Sequence, residues 1–214
     1  MSPGTAITGF TGFPPGGPGT VSGSINSANG LAGTAQNELT TAYNAAAGAM
    51  STAVAPADIG GLTLNPGVYT TASSLGITGT VTLNGQGNTN SQFIFQIGST
   101  LTTASGSSVA LINGAQASNV FWQVGSSATL GTTTLFAGNI LALSSISLNT
   151  GATIQGRALA RNGAVTLLSN TINAPSTSPP ATPAPSSLIL ITTALVCLGI
   201  YQGRDRLLRP FRRS

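Results

Sequence analysis

Asn119–Gly138 reads NVFWQVGSSATLGTTTLFAG, Asn139–Gly156 reads NILALSSISLNTGATIQG, and Arg157–Asn173 reads RALARNGAVTLLSNTIN. Each segment holds an apolar strand, a middle strand of alternating pattern (SATLG, SISLN, AVTLL) and a short third strand carrying T-L or T-I. Repeats of 17 to 20 residues are too short to build a hairpin pair with its own core. They suit one coil of a parallel β-solenoid, in which each repeat buries its inner face by stacking on the next. Ala128, Leu130, Ile146, Leu148, Val165 and Leu167 occupy alternate middle-strand positions, so period two puts them on one side. The residues between them are Thr129, Ser147 and Thr166. With coils stacked roughly 4.8 Å apart, those hydroxyls form a flat column facing water.

The repeat continues upstream. QFIFQIGSTLTTASG (Gln92–Gly106) matches the NVFWQVG register, placing Phe93, Phe95 and Ile97 over Val120, Trp122 and Val124. Thr102 then joins the hydroxyl column. GVYTTASSLGITGTVTLNG (Gly67–Gly85) reads as a further coil and offers Thr78 for the same column. Thr100, Ser127 and Ser145, two positions earlier, make a second column. Gly, Asn, Ser and Thr supply the corner chemistry. An antiparallel β-sandwich also gives short strands between turn signals, but it does not require near-copies of one strand triplet.

One segment departs from the β pattern. LAGTAQNELTTAYNAAAG (Leu31–Gly48) spaces Leu31, Ala35, Leu39, Ala42, Tyr43 and Ala46 by three or four residues in the main, an amphipathic helix closed by Gly48. Ile94, Phe121 and Ile140 are expected to point outward on the first strands. Large apolar residues there need a cover, so the helix is expected to lie along that face rather than across a solenoid end.

Taken together, the helix segment, the VYT-to-LNGQGN coil, SQFIFQIGSTLTTASGSSVALINGAQASNVFWQVGSSATLG and GNILALSSISLNTGATIQGRALARNGAVTL resemble the microbial ice-binding (antifreeze) family, also called the ice-binding-like adhesive domain. The resemblance covers nearly all of residues 2–173. It implies a mainly β fold: a right-handed parallel β-solenoid (β-helix) of triangular section, with one long α-helix packed alongside. It also implies adsorption to an ice crystal surface through a flat face. The family fold includes a coil built partly from residues preceding SPGTAITGF; here Met1 stands directly before it. The expectation is therefore a truncated start, without the opening coil or a signal peptide.

Ice is an extended, neutral, regular lattice, so its binder needs a broad, rigid, uncharged surface. Thr supplies a hydroxyl, a methyl that orders adjacent water and a side chain stiff at χ1. The expected ice face is Thr78, Thr102, Thr129, Ser147 and Thr166, with Thr100, Ser127 and Ser145 beside it. T-A/G-x-T/N signatures, which resemble ice-face motifs of this family, occur at Thr5–Thr8 and Thr150–Thr153. Thr5, Thr8, Thr150 and Thr153 are therefore secondary candidates. The same pattern at Thr34–Asn37 and Thr41–Asn44 falls in the helix and is read as chance. A second functional class is a non-catalytic adhesin binding polysaccharide or neighbouring cells, since a fold does not fix a function. Its aromatic platforms and carboxylates are missing from the middle strands.

Only 5% of the residues are charged, against an ordinary value of about 25%. Before residue 174 the charges are Glu38, Asp58, Arg157 and Arg161, which cancel; the net +4 resides in the last eleven residues. No basic stripe interleaved with aromatics runs along the repeats, so nucleic acid is not an expected partner. Polysaccharide cleavage, frequent on parallel β-helices, needs paired carboxylates, a basic residue or a metal. With no His, no Lys and one Cys in the chain, no enzyme, catalytic residue, metal or cofactor is expected.

The C-terminus is a separate device. Residues 174–187 (APSTSPPATPAPSS) read as a Pro/Ser/Thr linker. Residues 188–203 read as a transmembrane or sorting helix, part of an 18-residue uncharged run from Ser186 to Gly203. Residues 204–214 carry five Arg, as a cytoplasmic end does. The arrangement is similar to the PEP-CTERM sorting signal, with Pro183-Ala184-Pro185 carrying Ala in place of the usual Glu. That resemblance implies an extracellular or cell-surface protein anchored by its C-terminus, with an exosortase-type processing enzyme as a partner. Cys197 lies in the apolar run, so no intrachain disulfide forms.

Overall fold

A computed structural model of the chain describes Thr8, Phe10 and residues 18–175; the expected linker beyond Pro175, membrane helix and Arg-rich tail lie outside the described residues. From Ala53 onward the chain winds through six coils. The first holds β1 (Ala53–Val54), an isolated bridge at Asp58 and β2 (Thr63–Leu64). The second holds β3 (Gly67–Thr71), β4 (Leu75–Ile77) and β5 (Thr80–Asn84), and the third β6 (Phe93–Ile97), β7 (Leu101–Thr103) and β8 (Ser108–Ile112). The fourth runs through β9 (Val120–Val124) and β10 (Ala128–Leu130) into β11 (Leu135–Ala142). The end of β11, β12 (Ile146–Leu148) and the start of β13 (Thr153–Ala160) make the fifth. The end of β13, β14 (Val165–Leu167) and β15 (Thr171–Asn173) make the sixth. Every inter-coil pairing is parallel. Three strands per coil give a β-solenoid with three faces.

The parallel register follows from the inward columns. Phe93, Phe95 and Ile97 pair with Val120, Trp122 and Val124, as the sequence alignment requires. Tyr69, Phe95 and Trp122 stack face to face, with ring centroids 5.4 and 3.9 Å apart along the series, and Phe136 tilts against Trp122 at 5.1 Å. Stacked rings one coil apart bury large apolar surfaces against one another and add a stacking contribution to that burial. The indole N–H of Trp122 donates to the Ala137 carbonyl at 3.1 Å, so the largest core side chain leaves no polar atom unpaired.

Ile140 corrects the sequence reading. It lies over Trp122 and points into the core at 0% exposure, while the next residue, Leu141, faces out. The cause is Gly138, with φ +116, where β11 bends from the third face to the first. A Cβ there would meet the Trp122 indole nitrogen at 2.6 Å. The strand passes the corner without a loop, so counting from Asn139 shifts the register relative to the looped coils.

Helix α1 (Gly30–Ala47) starts at Asn29, whose side chain accepts from the Ala32 N–H, and ends at Gly48. It lies along the first face: Leu39, Tyr43 and Ala46 pack on Leu141, with Ile94, Phe121 and Leu159 around them. Leu31 and Ala42 are exposed rather than packed, and Ala32 takes the buried position in the first turn. Polar anchors fix the docking. The Gln96 amide donates to the carbonyls of Ala46, Ala47 and Ala49 at 2.7 to 3.2 Å, satisfying groups that a helix end leaves open. Gln123 donates to the Tyr43 hydroxyl at 2.8 Å, and the Arg161 guanidinium covers the Tyr43 ring at 4.7 Å. The two helical T-A-x-N matches have their Thr hydroxyls turned back to the Gly30 and Asn37 carbonyls.

Trp122 holds the stack together, so Trp122→Ala is expected to lower unfolding free energy by about 3–5 kcal/mol. Urea denaturation of the two proteins followed by circular dichroism measures it; a loss under about 1 kcal/mol would contradict the assigned core position.

Candidate functional site

The second face is made by β4, β7, β10, β12 and β14, each three residues long. Three-residue corners (72–74, 98–100, 125–127, 143–145) feed it from the first face. Four-residue corners (104–107, 131–134, 149–152) lead from it to the third. The exceptions are a four-residue corner into β14 (161–164) and corners of two residues after β4 (78–79) and three after β14 (168–170); elsewhere equal corners keep the three-residue strands in step. Their inward side chains are Leu75 and Ile77, Leu101 and Thr103, Ala128 and Leu130, Ile146 and Leu148, and Val165 and Leu167.

Between each inward pair one residue points out. Thr102 pairs with Thr129, Thr129 with Ser147, and Ser147 with Thr166. Four of the five expected column members are therefore neighbours on consecutive coils. Among the described residues, none of their side chains hydrogen-bonds to the protein, so all four hydroxyls remain available to the surroundings. The face carries no charge along these four coils.

Thr78 does not belong to the column. Its place is taken by Gly76, which pairs with Thr102. The corners before β4 and β7 are both three residues long, so the first-strand register carries through to Gly76, and Thr78 falls two residues further on, in the short corner after β4. Thr78 sits past the strand, and its hydroxyl donates to the Asp58 carboxylate at 2.5 Å. Asp58 also accepts from the N–H groups of Gly60 (2.7 Å) and Thr78 (3.1 Å). The Thr78 hydroxyl bond is the main cause holding the Asp58 carboxyl below its ordinary 3.8, with slight burial opposing it and the two N–H bonds helping. Asp58 bridges to Gly76, so the hydroxyl column ends at a glycine and then a carboxylate.

The second column is aligned but partly committed. Thr100 donates to the Ser74 hydroxyl at 2.8 Å, and Ser127 accepts from the Ser145 N–H at 3.3 Å. These hydroxyls tie successive coils together at the corner. Of the secondary candidates, Thr153 stands on the third face, between Leu135 and Thr171, and Thr150 is exposed in the corner before it. Neither extends the second face. Thr8 is exposed, and Thr5 lies outside the described residues. Arg157 is not a bare surface cation: it donates to Asn139 at 3.1 Å, beside the helix.

A model of the family described as Ice-binding-like matches residues 1–173. An ice-binding protein of Nostoc sp. (strain HG1) is 51% identical over 203 residues, covering 92% of this chain and 74% of that protein. Ice-binding protein 1 of Shewanella frigidimarina is 45% identical over 124 residues, covering 57% of this chain but only 14% of that protein. Among solved structures, the ice-binding protein from the Antarctic ascomycete Antarctomyces psychrotrophicus superposes with a TM-score of 0.75. It is 41% identical and covers 81% of this chain and 83% of that one.

The Asp58 clamp has a pH signature. A carboxyl whose folded pKa is depressed adds stability that is fully present above its unfolded value, here 3.8, and lost as pH falls through the folded pKa. Asp58→Asn should thus melt below the parent at pH 7, with the gap closing as the pH is taken below 3.8. Thermal melts across that range test it; a gap that does not change with pH would mean that Asp58 charge is not what holds Thr78.

Proposed function

We infer ice binding from a plain premise: this chain belongs to the Ice-binding-like family. The contact surface in this reading is the second face, centred on Thr102, Thr129, Ser147 and Thr166, with Ser145 and the corner hydroxyls of Thr100 and Ser127 along its edge. The observation that carries it is the aligned column of four hydroxyls that make no bond to the protein. A lattice of water can be matched only by groups that are already fixed and still unpaired. The parallel ladder fixes them, β-branching limits their rotamers at little further entropic loss, and the neutral face presents no ion for water to solvate in preference to ice. The two remaining faces suit the task less. The first is roofed by α1, and the outward column of the third is interrupted by the exposed Leu135.

The reading assigns no catalytic step and no cofactor. It places the protein outside the cell, inhibiting ice growth or recrystallisation or holding cells to ice. Anchoring through the C-terminal apolar run and its Arg cluster, with processing by an exosortase-type enzyme, belongs to the same proposal and rests on the sequence of residues 174–214.

Thr129→Tyr should abolish most ice-recrystallisation inhibition, and Thr166→Tyr should weaken it, because a ring at either place lifts several neighbouring hydroxyls from the lattice. Stability should move within about 0.5 kcal/mol, as for surface substitutions whose side chains point away from the core. Thr153→Tyr, on the third face, should leave inhibition near the parent level. Equal losses at both faces would assign the wrong surface.

The anchor is tested separately. Deleting Leu188–Tyr201 from the full chain, expressed with an export signal, should move the protein from the membrane fraction to the medium. Retention of the deleted form in the membrane fraction would refute anchoring by that run.

A further inference from the structure

The inward column of the second face reads Ile77, Thr103, Leu130, Leu148 and Leu167 in coil order. Thr103 is the one polar member, at 3% exposure inside an aliphatic stack. A leucine there would bury more apolar surface and leave no hydroxyl to satisfy, so the threonine needs a reason.

The reason lies in the ladder. After β7 and β12 the N–H following the strand donates to the carbonyl ending the strand one coil back, Ala104 to Ile77 and Asn149 to Leu130, both at 3.0 Å, while after β14, in the last coil, the Leu168 N–H turns to the Asn170 side chain. The corresponding bond from Gly131 would go to the Thr103 carbonyl. It goes instead to the Thr103 side-chain hydroxyl, at 2.9 Å. Backbone pairing between β7 and β10 accordingly stops at Thr102 and Thr129, whereas the other three strand pairs of this face run for three residues. The same hydroxyl lies 2.8 Å from that of Thr134, which is 0% exposed and donates to the Ala104 carbonyl at 3.3 Å. Gly131 fits so closely that a Cβ would meet the Thr103 carbonyl oxygen at 2.6 Å. One seam of the face is therefore closed by buried hydroxyls rather than by the backbone ladder, and it is the seam between Thr102 and Thr129.

We propose that Thr103, backed by Thr134, is a positioning residue for ice adsorption: its buried hydroxyl sets the offset of Thr102 against Thr129 across the seam where backbone pairing stops. The role rests on the second face being the contact surface. It acts through geometry, since the Thr103 side chain points away from ice. Removing the hydroxyl leaves the Gly131 N–H without its partner and lets the two outward threonines shift relative to each other, which a lattice-matched surface does not tolerate.

The test compares four single variants of the full chain, with ice-recrystallisation inhibition and thermal hysteresis measured near 0 °C and near-ultraviolet circular dichroism reporting the folded fraction. Thr103→Val keeps the shape and removes the hydroxyl; it should reduce activity several-fold while remaining folded. Thr103→Ser keeps the hydroxyl and should retain activity. Val81→Ala, a fully buried change on the third face, should lower the melting temperature without lowering activity at 0 °C. Thr129→Tyr reports on the face itself. Parent-level activity in Thr103→Val alongside loss in Thr129→Tyr would overturn the positioning role and leave the face intact. Equal loss in Val81→Ala and Thr103→Val would also overturn it, by showing that general destabilisation is enough. Full activity in Thr129→Tyr would remove the face and the positioning role together. Should Thr103→Val fail to fold, Thr134→Val decides in its place: it leaves the Gly131 bond to Thr103 and breaks the backing contact, and unchanged activity there would refute the paired arrangement.

Discussion

Each coil of this protein is too thin to own a core. Its inward side chains become buried only when another coil lies on either side, so the axial stacking of side chains is the interaction on which everything else depends. Tyr69, Phe95 and Trp122 show it most directly: three rings from three coils lie nearly parallel. A register slip of one residue would turn that whole column outward, so packing in the lumen and placement on the surface are one constraint. The outward column on the second face is regular because the inward columns beside it cannot move.

This coupling explains why the second face, the contact surface we propose, can be nearly free of charge and still well defined. In an ordinary surface strand, Ser and Thr orient themselves by bonding to neighbours or water. Here the orientation comes from beneath: Ala128, Leu130, Ile146 and Leu148 are all at 0–1% exposure, and the hydroxyls between them need no protein partner to stay in place. Where surface hydroxyls do engage the protein, they do a different job. Thr100 and Ser127 stitch corners, and Thr78 is held by Asp58. The contrast between engaged and unengaged hydroxyls marks out the face better than a count of threonines does.

Much of this was legible in the sequence, and the failures have a common cause. The solenoid, the helix over the first face and the run from Thr102 to Thr166 follow from alternation within strands and near-repetition between coils, both of which are local signals. The errors fall at the ends of elements. Gly76 rather than Thr78 faces Thr102 because the equal three-residue corners before β4 and β7 preserve the first-strand register, and Thr78 lies beyond the end of β4. Ile140 faces the lumen because β11 rounds a corner with no loop at all. Helix periodicity gave the correct element, but Leu31 is exposed because the buried stripe begins at Ala32. Corner geometry depends on single glycines with unusual φ or close contacts, such as Gly138, and a repeat alignment treats such positions as interchangeable.

The two ends of the hydroxyl column obey different physics. Toward the first coil the face closes with Gly76, then with a carboxylate whose three hydrogen bonds consume its capacity to organise water. Pro56 and Asp58 both lie in that first coil. Toward the sixth coil the inward residues Val165 and Leu167 are only half-buried while Thr166 is exposed. Order imposed from beneath is therefore weaker at Thr166 than at Thr129, whose flanking residues are completely enclosed. A lattice-matched surface gains most from its most rigid members, so the energetic centre of the face should lie at Thr129 and Ser147. That is also where the buried hydroxyl seam of Thr103 and Thr134 adjoins it.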